Sequence, residues 1–123
     1  KKENKTMVEI TRESRDFSKI ERYLMTVAPR ITSLKDVPDG TSIEVAGTIE
    51  FNDVKEATGE VAEIISIITP DKKVYSAQSR TVKRSLSDIE KIMEGEQFTI
   101  IKTSGQTKAG RTFINVELDV SKL

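Results

Sequence analysis

Hydrophobic and polar positions along this 123-residue chain fall mostly into short alternating runs, with helical spacing in two places. Met7, Val8 and Ile10 among polar neighbours predict a short strand. Phe17, Ile20, Leu24 and Val27 then follow at helical spacing, with Ser14 or Asp16 placed to cap that helix and Pro29 to end it. Leu34 to Gly40 is a turn with a physical basis, because Pro38 presets φ, Asp39 bonds locally and Gly40 can take positive φ. From there Ile43, Val45, Gly47, Ile49 and Phe51 share one face, and Glu44, Thr48 and Glu50 the other, as in a half-buried strand. Asn52 to Gly59 is a polar loop. Val61 to Thr69 is dense enough in Ile to be a second strand covered on both faces.

The chain turns at Pro70 to Lys73, and Val74 to Ser79 makes a third strand. Ser87-Asp88-Ile89-Glu90 is a capping box opening a helix lined by Leu86, Ile89, Ile92 and Met93 and stopped by Gly95. Gln97 to Thr103 is a fourth strand and Ser104 to Gly110 a loop. Arg111 to Val120 is a fifth strand, with Ile114, Val116, Leu118 and Val120 on one face. Five strands with a short helix between the third and fourth is the element order of the OB-fold barrel. The expected architecture is therefore mainly β: a five-stranded OB-fold barrel over residues 34–123, preceded by an N-terminal strand and helix extension over residues 1–33. Phe51 and Phe98 are expected in the core.

Composition fits one domain with a modest core, at 36% hydrophobic and 33% charged residues. Twenty basic and twenty acidic groups cancel, but residues 1–33 carry +3, residues 34–69 carry −6 and residues 70–123 carry +3. The absence of Cys and His removes disulfides, a thiol nucleophile, an imidazole base and the usual zinc ligands. No apolar run approaches the roughly 18 residues of a membrane span and no signal-peptide pattern opens the chain, so it reads as soluble and intracellular.

Gly105 to Thr112 nearly spells the phosphate-binding loop, with Arg111 where that loop needs Lys. That loop works by presenting phosphate to a helix N-terminus, and the residues after Thr112 alternate like a strand. It reads as a hairpin connection whose Lys108 and Arg111 remain available to phosphates. The carboxylate pairs Asp36/Asp39 and Asp53/Glu56 sit in turns that favour Asp for backbone reasons, so no metal site, cofactor or catalysis is expected.

The informative residues face outward. If Ile114 and Val116 claim the core face, Arg111, Phe113 and Asn115 point to solvent, which places a Phe beside an Arg where burial does not explain it. On the third strand Tyr75, Ala77 and Ser79 share a face. Lys72, Lys73, Arg80, Lys83 and Arg84 fall within thirteen acid-free residues, and Lys102 adds a cation on the fourth strand. Rings beside Lys and Arg on an open barrel face suit single-stranded nucleic acid, since bases stack on rings at about 1–3 kcal/mol each and cations follow the phosphates. Such a strand would cross the second and third barrel strands, framed by the loops at Asn52 to Gly59 and Ser104 to Gly110. Closure of a barrel end or an interface by Phe113, and a merely solvated basic loop, are the structural alternatives.

Tyr23-Leu24-Met25-Thr26, Leu34 to Gly40 and above all Ser104-Gly-Gln-Thr-Lys-Ala-Gly-Arg-Thr-Phe113 carry a resemblance. Over roughly residues 20–119 the chain resembles single-stranded DNA-binding proteins of small phages of Gram-positive bacteria. The resemblance implies a non-catalytic OB-fold protein that coats displaced single strands during phage DNA replication. Its place would be the cytoplasm of the host cell, its partner single-stranded DNA, with replication proteins as further candidates. The chain departs from the better-known bacterial single-strand binders in lacking Trp and an acidic, Gly-rich tail ending in Phe. An OB-type protein-interaction or virion-assembly module, favoured by zero net charge and the acidic stretch from Asp36 to Glu63, is the alternative from another class, and RNA binding is the other.

Overall fold

A computed structural model describes residues 6–122. In chain order the elements are β1 (Thr6–Glu13), α1 (Lys19–Thr26), β2 (Ile31–Ser33), β3 (Ser42–Val45), β4 (Gly47–Lys55), β5 (Val61–Ile68), β6 (Val74–Ala77), α2 (Arg80–Met93), β7 (Phe98–Gln106) and β8 (Thr112–Leu118). The described chain is mainly β. A five-stranded sheet runs β1-β4-β5-β6-β2, antiparallel except for the β2/β6 pair, and a three-stranded antiparallel sheet runs β3-β7-β8.

The Ile-rich β5 has apolar cover on both faces, as its composition predicts. Ile65 and Ile67 enter one core with Ile43, Val45, Ile100, Val116 and the α2 residues Val82 and Leu86. Ile68 on the opposite face enters a second core with Ile49, Phe51, Val74, Phe17 and Met25. Full burial of one such aliphatic side chain contributes about 1.5–3 kcal/mol, so the middle strand ties two separate cores to one sheet. Phe51 is buried and Phe98 packs half-buried on the first core, as expected.

Several boundaries differ from the sequence reading, each for a local reason. The run from Ile43 to Phe51 does not keep one face. The chain bends at Ala46, whose N–H donates to the Ile68 carbonyl at 2.8 Å, so Ile43 and Val45 enter the first core while Ile49 and Phe51 enter the second. Helix α1 is capped by Ser18, not by Ser14 or Asp16. Ser18 Oγ accepts from the Glu21 N–H and Glu21 accepts from the Ser18 N–H, while Ser14 Oγ is occupied by the Thr48 N–H. Its buried face centres on Met25, and the predicted core positions Ile20 and Val27 are exposed.

Helix α2 starts well before the expected box at Ser87. Ser79 ends the third strand's run early and caps the helix by accepting from the Val82 N–H, and Val82, Leu86 and Ile89 supply the apolar stripe. Strand β8 ends at Leu118, and Val120 lies 69% exposed in a short 3-10 turn instead of on the core face. The Asp119 N–H still donates across to the Thr99 carbonyl, and its carboxylate accepts from the Ser121 N–H and hydroxyl, which turns the chain away from the sheet. Among the described residues no helix is long and apolar enough to cross a membrane.

Candidate nucleic-acid interface

The turn joining β5 to β6 is held by a short network of hydrogen bonds beside two clefts. Thr69 Oγ1 donates to the Asp71 carboxylate and accepts from the Lys73 N–H at 3.0 Å, while the Thr69 N–H donates to the Lys73 carbonyl at 2.9 Å. The intervening Lys72 takes the left-handed conformation, φ 72°, which few side chains other than Asn or Asp adopt readily. The bond from Thr69 holds the Asp71 carboxyl below the usual carboxylate range, so it stays ionised next to Lys73.

Lys73 and Tyr75 together border two adjoining clefts. One, about 400 Å³, continues onto Ser42, Thr69 and Thr99; the other, about 490 Å³, continues onto Arg30, Thr32 and Thr41. Parallel pairing of β2 with β6 sets Thr32 opposite Tyr75 and brings Arg30, just ahead of β2, to the rim. Lys73 and Arg30 are exposed and make no ion pair among the described residues.

The outward face predicted for the third strand is not outward. Ala77 is buried, Tyr75 packs half-buried against the first core, and Ser79 is the cap of α2. The opposite face of β5 and β6 is also closed, because α1 lies on it and Ser66 Oγ donates to the Met25 carbonyl. What remains open beside β6 is its margin, where Tyr75 borders the clefts.

A second aromatic and basic cluster lies at the β7–β8 hairpin. The Thr107 N–H donates to the Arg111 carbonyl, the Gly110 N–H to the Thr107 carbonyl, and Gly110 takes φ 85°, so the segment resembling a phosphate-binding loop is a hairpin turn followed by a strand. Lys108 and Arg111 are exposed on it. Phe113 is 37% exposed and stands opposite Gly105 in the register, in agreement with the parity argument that turned it away from the core. Its neighbour Asn115 is half-buried, accepting from Ser85 of α2 at 2.7 Å.

The other predicted cations are distributed elsewhere. Lys72 donates to Glu21 at 3.1 Å, a carboxylate that Arg15 also contacts at 3.1 Å. Those bonds, Arg15 first and then the Ser18 N–H and Lys72, hold the Glu21 carboxyl down at about 2. Lys102 is buried and its ammonium sits 2.8 Å from Asp39, whose other oxygen accepts from Ser104 Oγ. Arg80, Lys83 and Arg84 lie in the first turns of α2, with Lys83 3.2 Å from Glu63 and Arg80 and Arg84 exposed. The structure thus gathers Lys73 with Tyr75, and Lys108 and Arg111 with Phe113.

Arg30, Thr32, Thr41, Ser42 and Thr99 were not legible as site residues. The pairing that brings β2 to β6 is long-range and parallel, and a three-residue strand leaves no periodic signal.

The chain is similar to the single-stranded DNA-binding proteins of Bacillus phage PZA and Bacillus phage phi29. It is 29% identical to each over 93 residues, covering 72% of this chain and 75% of theirs. No solved structure matches it. The family model described as phage single-stranded DNA-binding protein matches residues 3–119, and with a match over nearly its whole length this chain belongs to that family.

Proposed function

We propose that this protein binds single-stranded DNA without strong sequence preference, as a non-catalytic coating protein of phage DNA replication in the host cytoplasm. The observation that carries the reading is the pairing of a ring with exposed cations that make no ion pair among the described residues, at two places: Tyr75 with Lys73 at the clefts, and Phe113 with Lys108 and Arg111 at the hairpin. Rings at such places offer stacking surfaces that every base can use, and the cations neutralise phosphates. Arg80 and Arg84 extend the basic surface on α2, and replication proteins are candidate partners. Family membership and the names of the two phage relatives support the same ligand.

The binding unit is proposed to be an OB-fold over residues 34–123, with the segment before it completing the sheet and covering one face. Support comes from the pairing pattern. The run from Ser42 to Lys55 crosses both sheets by way of the Ala46 bend, pairing with β7 in its first half and with β5 in its second, and α2 follows β6.

Fluorescence anisotropy with labelled oligo-dT, a duplex and an oligo-U, each at two salt concentrations, tests the reading. Tight, salt-sensitive binding to dT with weak duplex binding is expected. Preference for oligo-U moves the ligand to RNA. Absence of binding to all three leaves the protein-interaction reading in front.

A further inference from the structure

We propose that the groove at β6 is a two-nucleotide subsite, with Tyr75 the partition between consecutive bases and Arg30 a phosphate contact at its outer rim; the proposal rests on the single-strand binding reading above. Tyr75 and Lys73 are common to both clefts, and the two volumes, about 400 and 490 Å³, lie within the range of small-ligand sites, about 300–1,000 Å³. A ring bordering both spaces offers a stacking partner to a base in each. The phosphate joining those two nucleotides must then pass the partition, where Lys73, the other shared residue, is the cation.

The second cleft continues to Arg30, which is exposed and makes no ion pair among the described residues, so its guanidinium is available to the next phosphate along. Carboxylates argue for the same polarity. Glu44 and Asp71 border the first cleft and Asp36 the second, which disfavours phosphate inside the clefts and leaves them to bases. The hydroxyls of Thr99 on one side and Thr32 on the other supply a donor and acceptor to base edges without fixing one base, consistent with sequence-tolerant binding, while those of Ser42, Thr69 and Thr41 already donate to Asp119, Asp71 and the Pro38 carbonyl.

The test compares wild type, Arg30→Ala, Arg30→Lys, Lys73→Ala, Tyr75→Ala and the exposed α2 control Lys91→Ala, each titrated with labelled oligo-dT over a range of salt and checked by thermal melting. Arg30→Ala and Lys73→Ala are each expected to weaken binding several-fold and to lower the steepness of log K against log[salt] by about 0.7, the worth of one single-strand phosphate. Arg30→Lys should restore the slope, and Lys91→Ala should match wild type. Tyr75→Ala should weaken binding by at least roughly 5- to 150-fold, the range of a single base–ring stack. Because Tyr75 also packs on the core, the exposed Arg30 carries the decision. If wild type binds dT and Arg30→Ala behaves like Lys91→Ala, the subsite is overturned while the binding reading stands. If wild type does not bind dT, the binding reading itself fails, and the subsite with it.

Discussion

The ring of Phe113 lies across Gly105 of the neighbouring strand so closely that a Cβ at Gly105 would stand 2.8 Å from Cζ of the ring. The bare backbone of β7 therefore forms the seat of an aromatic side chain that is still 37% exposed. A glycine in a strand interior weakens the strand, and a ring laid over it recovers contact area while presenting its other face to solvent.

Gly105→Ala is accordingly expected to act through Phe113. The new methyl displaces an exposed ring, so stability should change by less than about 1 kcal/mol, below the usual 1–3 kcal/mol of overpacking in a closed core. Affinity for oligo-dT should fall as it does in Phe113→Ala, by about 1–3 kcal/mol. The double variant should be no worse than Phe113→Ala alone, because both remove the same stacking surface. Additive losses in a titration of the three variants would show that Gly105 contributes independently of the ring.

Gly47 seats a ring in the opposite setting. A Cβ there would lie 2.5 Å from Cζ of Phe17, which is buried in the second core and carries the Arg15 guanidinium 4.2 Å from its centroid. This ring has no solvent side to move into. Gly47→Ala should cost at least about 1–3 kcal/mol of stability, read by chemical denaturation. Affinity of the remaining folded protein should hold, because Phe17 and Gly47 line neither cleft.

These two glycines also mark how far the sequence could be read. Strand β2 and the break between β3 and β4 leave no local signal, but the succession from β4 to β8 around α2, the doubly covered β5, the outward Phe113 and a hairpin connection within Ser104 to Gly110 all follow from local periodicity and turn chemistry, which one sequence carries. The facing of Tyr75 did not, because Val74 to Ser79 alternates well enough for either assignment and only the core pairing of Ala77 with Ile65 decides it. The covering of β5 and β6 by α1 was equally hidden. It depends on Met25 and Phe17 meeting Ile49 and Ile68 across more than twenty residues of chain, while the helical spacing pointed to Phe17 and Leu24 but also to the exposed Ile20 and Val27, and not to Met25.

Acid should loosen the contact between α1 and the β5–β6 turn. Glu21, held at about 2 by Arg15, the Ser18 N–H and Lys72, has a folded-state value below its ordinary 4.5. A depressed carboxylate contributes stability that is fully present above the unfolded value and is lost as pH falls through the folded one. The loss therefore belongs to the window from about 4.5 down to about 2. Glu21→Gln should flatten this part of a stability-against-pH curve and lower stability at neutral pH. An unchanged acid limb would assign that limb to the other depressed carboxylates, Glu13, Asp39 and Asp71.

The three lysines at positions 72, 73 and 102 look alike in composition and should separate in a salt titration. Lys72 is engaged with Glu21, so a phosphate must compete with a carboxylate for it; Lys73 makes no ion pair among the described residues and borders both clefts. Lys102 is enclosed, with its ammonium committed to Asp39. Lys73→Ala should reduce the steepness of log K against log[salt] by about 0.7, Lys72→Ala by less, and Lys102→Met by nothing measurable. The Lys102 pair should declare itself in stability instead. Removing Lys102 leaves Asp39, whose side chain is 55% exposed, to water, whereas Asp39→Ala leaves an ammonium enclosed without its partner. Asp39→Ala should therefore be the more destabilising of the two in chemical denaturation. A reduced salt slope in Lys102→Met, with stability unchanged, would instead place that ammonium on the DNA path.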